Sequence, residues 1–175
     1  MFPYPFSFLS PSDTGLADID NAFSMEFDGI SDRIDCGTIT ALNSTSACTI
    51  SCWGKLTAAS GDDITVGSYI GATNGVWIQW YNVNTNVYFA PRNGASNSVY
   101  IPLALDTNWH HFVGVYDGTN ASIYVDGALG ATTTVSVPAS LSATAGDNFE
   151  IGALDGAWFT SGNIDEVAIL AQHPG

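Results

Sequence analysis

Trp77, Gln79 and Tyr81 alternate along the stretch Val76 to Asn82, so in an extended strand they share one face while Val76, Ile78 and Trp80 share the other. Two aromatic rings with an amide between them suit a sugar, whose C–H face stacks on the rings while the amide fixes its hydroxyls. Tyr88 and Arg92 on the next strand extend this platform, and Trp158, in a loop before the last strand, supplies its rim. With Val76, Ile78 and Trp80 as the core side, the predicted ligand-binding residues are therefore Trp77, Gln79, Tyr81, Tyr88, Arg92 and Trp158. The competing reading is a central strand buried on both faces, which leaves no platform. Trp53 and Trp109 are assigned to the core.

The carboxylates do not assemble into catalytic machinery. Retaining glycoside hydrolysis needs two carboxyl groups about 5 to 5.5 Å apart, flanking the scissile bond. The chain has only three glutamates, Glu26, Glu150 and Glu166, and no strand carries two aspartates at i and i+2 facing a groove. No serine lies in a Gly-x-Ser-x-Gly elbow. His110 and His111 are adjacent and so point to opposite faces, one packed and hydrogen-bonded, the other near the surface; a metal pair needs both rings on one side. No catalytic residue is assigned and the chain is read as a non-enzyme.

Seventeen acidic residues against three basic ones give a formal net charge of -14. Such a surface adds like charge at every approach to a phosphate backbone or an anionic lipid, which argues against nucleic-acid partners and against membrane insertion. The three cysteines, Cys36, Cys48 and Cys52, form no zinc pattern. Cys48 and Cys52 lie on one strand face too far apart to pair with each other. Buried, apolar-like thiols are expected, with a Cys36 bridge to one of them the alternative.

Positioning these residues requires strands. Turn chemistry recurs at short spacing from Ala22 onward and no segment sustains a helical period. The stretch NWHHFVGVYDGTNASIYVDG, Asn108 to Gly127, reads as strand, loop, strand and then a tight turn, with Asp126-Gly127 supplying the positive φ of a type I′ hairpin. In order, strands are predicted near 23–27, 33–37, 47–56, 66–71, 76–82, 87–91, 99–103, 109–116, 122–125, 129–137, 148–152 and 163–171. This pattern predicts an all-β, two-sheet antiparallel β-sandwich. Residues 1–21, rich in proline and aromatics, are expected to form an extended arm, and residues 22–175 one domain. The first residues lack the basic region of a secretion signal.

Three segments in order resemble the laminin-G-like branch of the concanavalin A-like lectin and glucanase jelly rolls: SMEFDGISDRIDCG near the start, NWHHFVGVYDGTNASIYVDG in the middle and FEIGALDGAWFTSGNIDEVAIL near the end. The resemblance implies two curved antiparallel sheets, a concanavalin A-like jelly roll, with the first and last strands adjacent. That adjacency would bring Asp28 and the Gly29 carbonyl to Asp165, hard oxygen ligands for a structural calcium ion of the kind found in the wider superfamily. The alternative is that Asp28 caps a turn and Asp165 binds backbone amides. The Glu-x-Asp-x-x-Glu pattern of the glucanase branch is absent.

These readings lead to a non-catalytic recognition and adhesion module that binds a glycan or protein surface. The aromatic arm and the missing secretion signal lead to an expectation of display on a larger assembly, such as the surface of a phage or viral particle, as a decoration or fibre-like component. The alternative is a free soluble carbohydrate-binding lectin, cytoplasmic or extracellular; a glycan hydrolase ranks last.

Overall fold

Burial alternates residue by residue along Ala47–Leu56, where Cys48, Ile50, Cys52, Gly54 and Leu56 are buried and the residues between them are half-exposed. One face of this strand therefore builds a core and the other meets solvent. The structure, a computed structural model, describes residues 23–58, 63–71, 73–81, 83, 85–94, 98–134 and 137–172. The expected arm, residues 1–21, lies outside the described residues.

Among the described residues there are twelve strands: β1 (Met25–Asp28), β2 (Ile34–Asp35), β3 (Ala47–Leu56), β4 (Ile64–Ile70), β5 (Asn74–Tyr81), β6 (Asn86–Asn93), β7 (Val99–Pro102), β8 (His110–Tyr116), β9 (Ala121–Val125), β10 (Ala128–Thr133), β11 (Glu150–Ile151) and β12 (Ser161–Gln172). Each corresponds to a strand expected from sequence, and the only helical element among the described residues is a 3-10 turn at Thr40–Leu42. They form two six-stranded sheets, ordered β1-β12-β3-β8-β9-β10 and β2-β11-β4-β5-β6-β7, with antiparallel pairing throughout. This is the antiparallel β-sandwich that the strand pattern predicts, with the first and last strands adjacent. Among the described residues no helix is long and apolar enough to cross a membrane.

The core lies between the sheets. Ile50, Cys52, Leu56, Phe112, Tyr116 and Ile123 face Ile64, Val66, Ile78, Trp80, Val87 and Phe89. Inward glycines decide which face of a strand is buried. A Cβ on Gly114 would stand 2.2 Å from a ring carbon of Phe89, and one on Gly54 would stand 2.8 Å from Ile64. These positions lodge the large side chains of the opposite sheet, so β8 turns Phe112, Gly114 and Tyr116 inward. His111, Val113 and Val115 consequently lie on the outer face, and Trp53 and Trp109 are not core residues: Trp53 is half-buried and Trp109 is 38% exposed. The Asp126-Gly127 turn has φ of 52° and 77°, the two positive values of the expected hairpin.

Cys36, Cys48 and Cys52 are all free thiols. Burial pushes the thiols of Cys48 and Cys52 up to about 12, which makes both inert at neutral pH.

Candidate functional site

On the outer face of the second sheet, strand pairing sets Thr65, Gln79, Tyr88 and Tyr100 in one row and Gly67, Trp77 and Ala90 in another. Trp77, the anchor of the expected platform, is only 4% exposed. Leu154 and Ala90 pack against it, Tyr69 meets its edge at 5.0 Å and the Arg92 guanidinium lies 4.4 Å over its ring. Burial lowers the Arg92 pKa, and the neighbouring Tyr69 opposes that shift. Trp158 closes the cover from above, its ring 5.1 Å from Tyr69 and its carbonyl accepting the Thr65 hydroxyl at 3.2 Å. The loop after β11 thus roofs this half of the sheet, and Trp77 serves packing rather than stacking on a ligand.

On the other half of that face Gln79, Tyr81 and Tyr88 are half-buried and Tyr100 is exposed. Gln79 donates to the buried Asp63 carboxylate at 3.3 Å, while Tyr81, Tyr88 and the exposed Tyr100 run in series with ring centroids 6.5 and 5.3 Å apart. Of the six expected ligand residues, the structure brings together Gln79, Tyr81 and Tyr88 on the half-buried side and Trp77, Arg92 and Trp158 under the loop after β11.

The shared cation site does not assemble. Asp28 lies opposite Ser161 in the β1–β12 ladder, which leaves Asp165 further along β12 by roughly 13 Å at about 3.3 Å per residue. Asp28 Oδ1 instead accepts the backbone amides of Ile30, Ser31 and Asp32 at 2.8, 2.9 and 3.1 Å, bonds that hold its carboxyl below the usual carboxylate range. Asp165 Oδ1 accepts the amide of Glu166 at 2.8 Å, and the Gly29 amide donates to the Thr160 carbonyl. The residues present do not fit a cation held jointly by Asp28, Gly29 and Asp165; each carboxylate binds local backbone, the turn-capping alternative. Among the described residues no group of three or more His, Cys, Asp or Glu is arranged to hold a metal ion.

A groove lies elsewhere, on the outer face of the first sheet. It has a volume of about 530 Å³ and runs from the residues just before β1 across β12 and β3 to the residue just before β8. Phe23, Trp53 and Trp109 line it with rings, and Ser24, Lys55, Asn163, Asp165 and Glu166 line it with hydrogen-bonding groups. Strand pairing explains the set. Asn163 is opposite Lys55 and Asp165 is opposite Trp53, so alternate residues of two strands face outward together. Directly after Asp165 the register of β12 slips by a bulge, and Glu166 adopts φ of 47°. In a regular strand consecutive side chains oppose each other; the bulge lets Asp165 and Glu166 line the same groove.

The Trp53 ring is braced, and the segment that carries Trp109 is tied down. Trp53 stacks on His111 with centroids 4.9 Å apart and planes 23° from parallel. Trp109 precedes β8, and its loop is tied down by His110, which contacts Asp106 at 3.2 Å and Asp126 at 2.7 Å. Asp126 Oδ1 also accepts the His111 amide at 2.9 Å. Burial would raise the Asp126 carboxyl, yet the bonds from His111 and His110 outweigh it and hold the group low. The histidines face opposite sides as expected, and both position the rings of the groove. Sequence reasoning assigns both tryptophans to the core and names Asp165 only as a cation ligand, so it misses the groove; the inward glycines at 54 and 114 are the signal that reverses the tryptophan assignment.

A family model described as the concanavalin A-like lectin/glucanases superfamily matches residues 28–173. No curated protein matches by sequence. Among solved structures, a heptameric SAP-like pentraxin from Limulus polyphemus is 16% identical, with 83% of this chain and 74% of that one covered and a TM-score of 0.60. The LG4-5 domains of the mouse laminin alpha1 chain are 12% identical at a TM-score of 0.62, with 85% of this chain covering 42% of that one, less than half its length. The CBM40 of the Ruminococcus gnavus IT-sialidase, bound to alpha2,3 sialyllactose, is 15% identical at a TM-score of 0.60, with 88% and 94% covered.

Proposed function

The chain belongs to the concanavalin A-like lectin/glucanases superfamily, and from that premise we propose that it is a non-catalytic carbohydrate-recognition module which holds its ligand in the Trp53–Trp109 groove. The observation that carries this reading is a groove lined by Trp53, stacked on His111, and by Trp109, with hydrogen-bonding side chains beside them. A ring held in place before binding, as Trp53 is by His111, loses little freedom when a sugar stacks on it, and the polar side chains supply orientation. The CBM40 bound to sialyllactose has the same sandwich fold, which supports a saccharide ligand without specifying it.

Non-catalytic recognition is further supported by the placement of the glutamates. Glu150 is buried, paired with Arg33 at 3.0 Å and accepting the Gly156 amide. Asp165 and Glu166 are consecutive on one wall of the groove, whereas hydrolysis needs carboxyl groups flanking the scissile bond. Display on a particle rests on residues 1–21, outside the described residues, and nothing among the described residues supports it; the free lectin is the reading that the groove favours.

The test is retention of the wild-type chain and of W109A on a panel of immobilised glycans. A ligand retained by the wild type and released at least tenfold more readily by W109A supports the groove; equal retention by the two proteins on every glycan overturns it.

A further inference from the structure

Next to the groove, the outer face of the first sheet carries two rows of side chains that strand pairing sets across five strands. From β12 to β10 one row runs Ala168, Ser51, Val113, Tyr124, Leu129, and the next runs Leu170, Thr49, Val115, Ser122, Thr132. The Ser122 and Thr132 hydroxyls bond at 2.8 Å, as residues on one face do. None of the ten is buried, and Leu129 and Leu170 are 57% and 64% exposed. None is charged either, in a chain with seventeen acidic residues. On so acidic a protein this is where two molecules approach closely, because contact there adds no like charge and removes apolar area from water.

Side-chain size along the rows says which partner fits. The first row grows from Ala168 and Ser51 at β12 to Tyr124 and Leu129 at β10, while the second falls from Leu170 to Ser122 and Thr132. A two-fold axis along β8 would lay each row end for end on its equivalent. Leu129 then meets Ala168 of the second copy, Tyr124 meets Ser51, Leu170 meets Thr132, and Val113 and Val115 meet themselves. Large faces small at the ends and equals meet at the centre, as close packing of two aligned sheets requires. Such self-complementarity is the property of an isologous interface.

We infer that this face joins two copies of the chain into a two-fold dimer, sheet against sheet. With strands about 4.8 Å apart and same-face residues about 6.8 Å apart, the rows and their flanking residues Trp53, His111, Ala47 and Gln172 cover about 650 Å² per copy. About 1,300 Å² for the pair is a modest specific interface, so the dimer forms in the micromolar range. The exposed Asp117 and Asp126 stand beyond the rows at opposite ends, and salt that screens their repulsion tightens the pair. Rotation about the strand direction keeps both grooves, which extend past Trp53, at the same end of the dimer.

The experiment is sedimentation velocity of the full chain at pH 7, over about 1 to 500 µM, in low and high salt, with L129K, A168E and the double variant L129K/A168E. Within one copy the two positions are four strands apart, about 19 Å, too far to pair, whereas the dyad sets each against the other across the interface. The wild type should pass from monomer to dimer with concentration and associate at least twofold more tightly in high salt. Each single variant should melt close to wild type and weaken the dimer at least fivefold; the double variant, whose new ammonium and carboxylate pair twice across the dyad, should return to within threefold. A wild type that stays monomeric at the highest concentration overturns the inference and leaves the face to another occupant. Association that salt weakens, that both single variants leave intact, or that the double variant fails to restore overturns it as well.

Discussion

Trp53 and His111 lie ring on ring across the β3–β8 ladder, directly opposite each other, with centroids 4.9 Å apart and planes 23° from parallel. The pair joins a groove residue of β3 to β8, the strand that Trp109 immediately precedes. H111A should therefore weaken saccharide binding by a factor of a few while costing about 0.5 to 1.5 kcal/mol of stability, the worth of an aromatic pair. W53A should weaken binding at least tenfold, about 1.4 kcal/mol. Titration with a glycan retained by the wild type, beside a urea melt, separates the two effects.

Trp77 and Trp109 should respond in opposite ways. Removing the buried Trp77 ring opens a cavity beneath Leu154 and Tyr69, so W77A should lose about 3 to 5 kcal/mol of stability while the folded fraction keeps its affinity. W109A should melt close to wild type and lose binding. A W77A protein that melts normally but no longer binds would restore the second sheet as the ligand face.

Acid should unfold the protein through its turn aspartates. Asp28, held low by the amides of residues 30–32, Asp106 by Asn108, Asp117 by Asn120, and Asp126, where bonds from His111 and His110 overcome burial, all have folded pKa values below 3.8. A carboxyl lowered on folding contributes stability above its unfolded pKa and loses it as pH falls through the folded one. The melting temperature should hold steady down to about pH 5 and then fall steeply below pH 3.8. D117N, which keeps the side-chain size and removes the charge, should flatten that fall; a melting curve unchanged between pH 5 and pH 2.5 would contradict the assignment.

Chelation should not matter to the fold. Asp28 already spends Oδ1 on three amides and stands apart from Asp165, so EDTA and added calcium should both leave the melting temperature where it is. A rise with calcium that D28N abolishes would reinstate a cation at this edge.

The thiols offer a further check on the core. At pH 8 an alkylating reagent should modify the exposed Cys36 alone, because burial pushes Cys48 and Cys52 up to about 12, and all three should react once urea unfolds the chain. Mass spectrometry of the native sample should find one added group; two or three would mean that β3 is not packed as described.

The strands were legible because alternation and turn chemistry are local. Asp126-Gly127 announces its hairpin in two residues, and β3 reads as a strand over its whole length. The orientation of a strand is not local when both faces are apolar. Trp109, His111, Val113 and Val115 look as buriable as Phe112 and Tyr116, and the decision is made by Phe89 of the other sheet, which needs the space that Gly114 leaves. The same limit misplaced Trp77, whose cover comes from Leu154 in a distant loop. Asp28 and Asp165 were correctly read onto neighbouring strands, but register decides whether neighbours meet, and these do not.

The groove draws its walls from Phe23 and Ser24, from Trp53 and Lys55, from Trp109 and from Asn163 to Glu166, which is to say from nearly the whole span of the described chain. Pairing β1 with β12 closes the longest loop in the fold, a contact of high sequence separation whose entropy must be met before any reward arrives. A nascent or truncated chain lacking β12 can form the hairpins of the middle strands but has no polar wall to offer a sugar. Ligand binding thus reports completion of folding, and a ligand at 100 times its dissociation constant should protect the whole sandwich against unfolding by about 2.7 kcal/mol rather than quieting one loop.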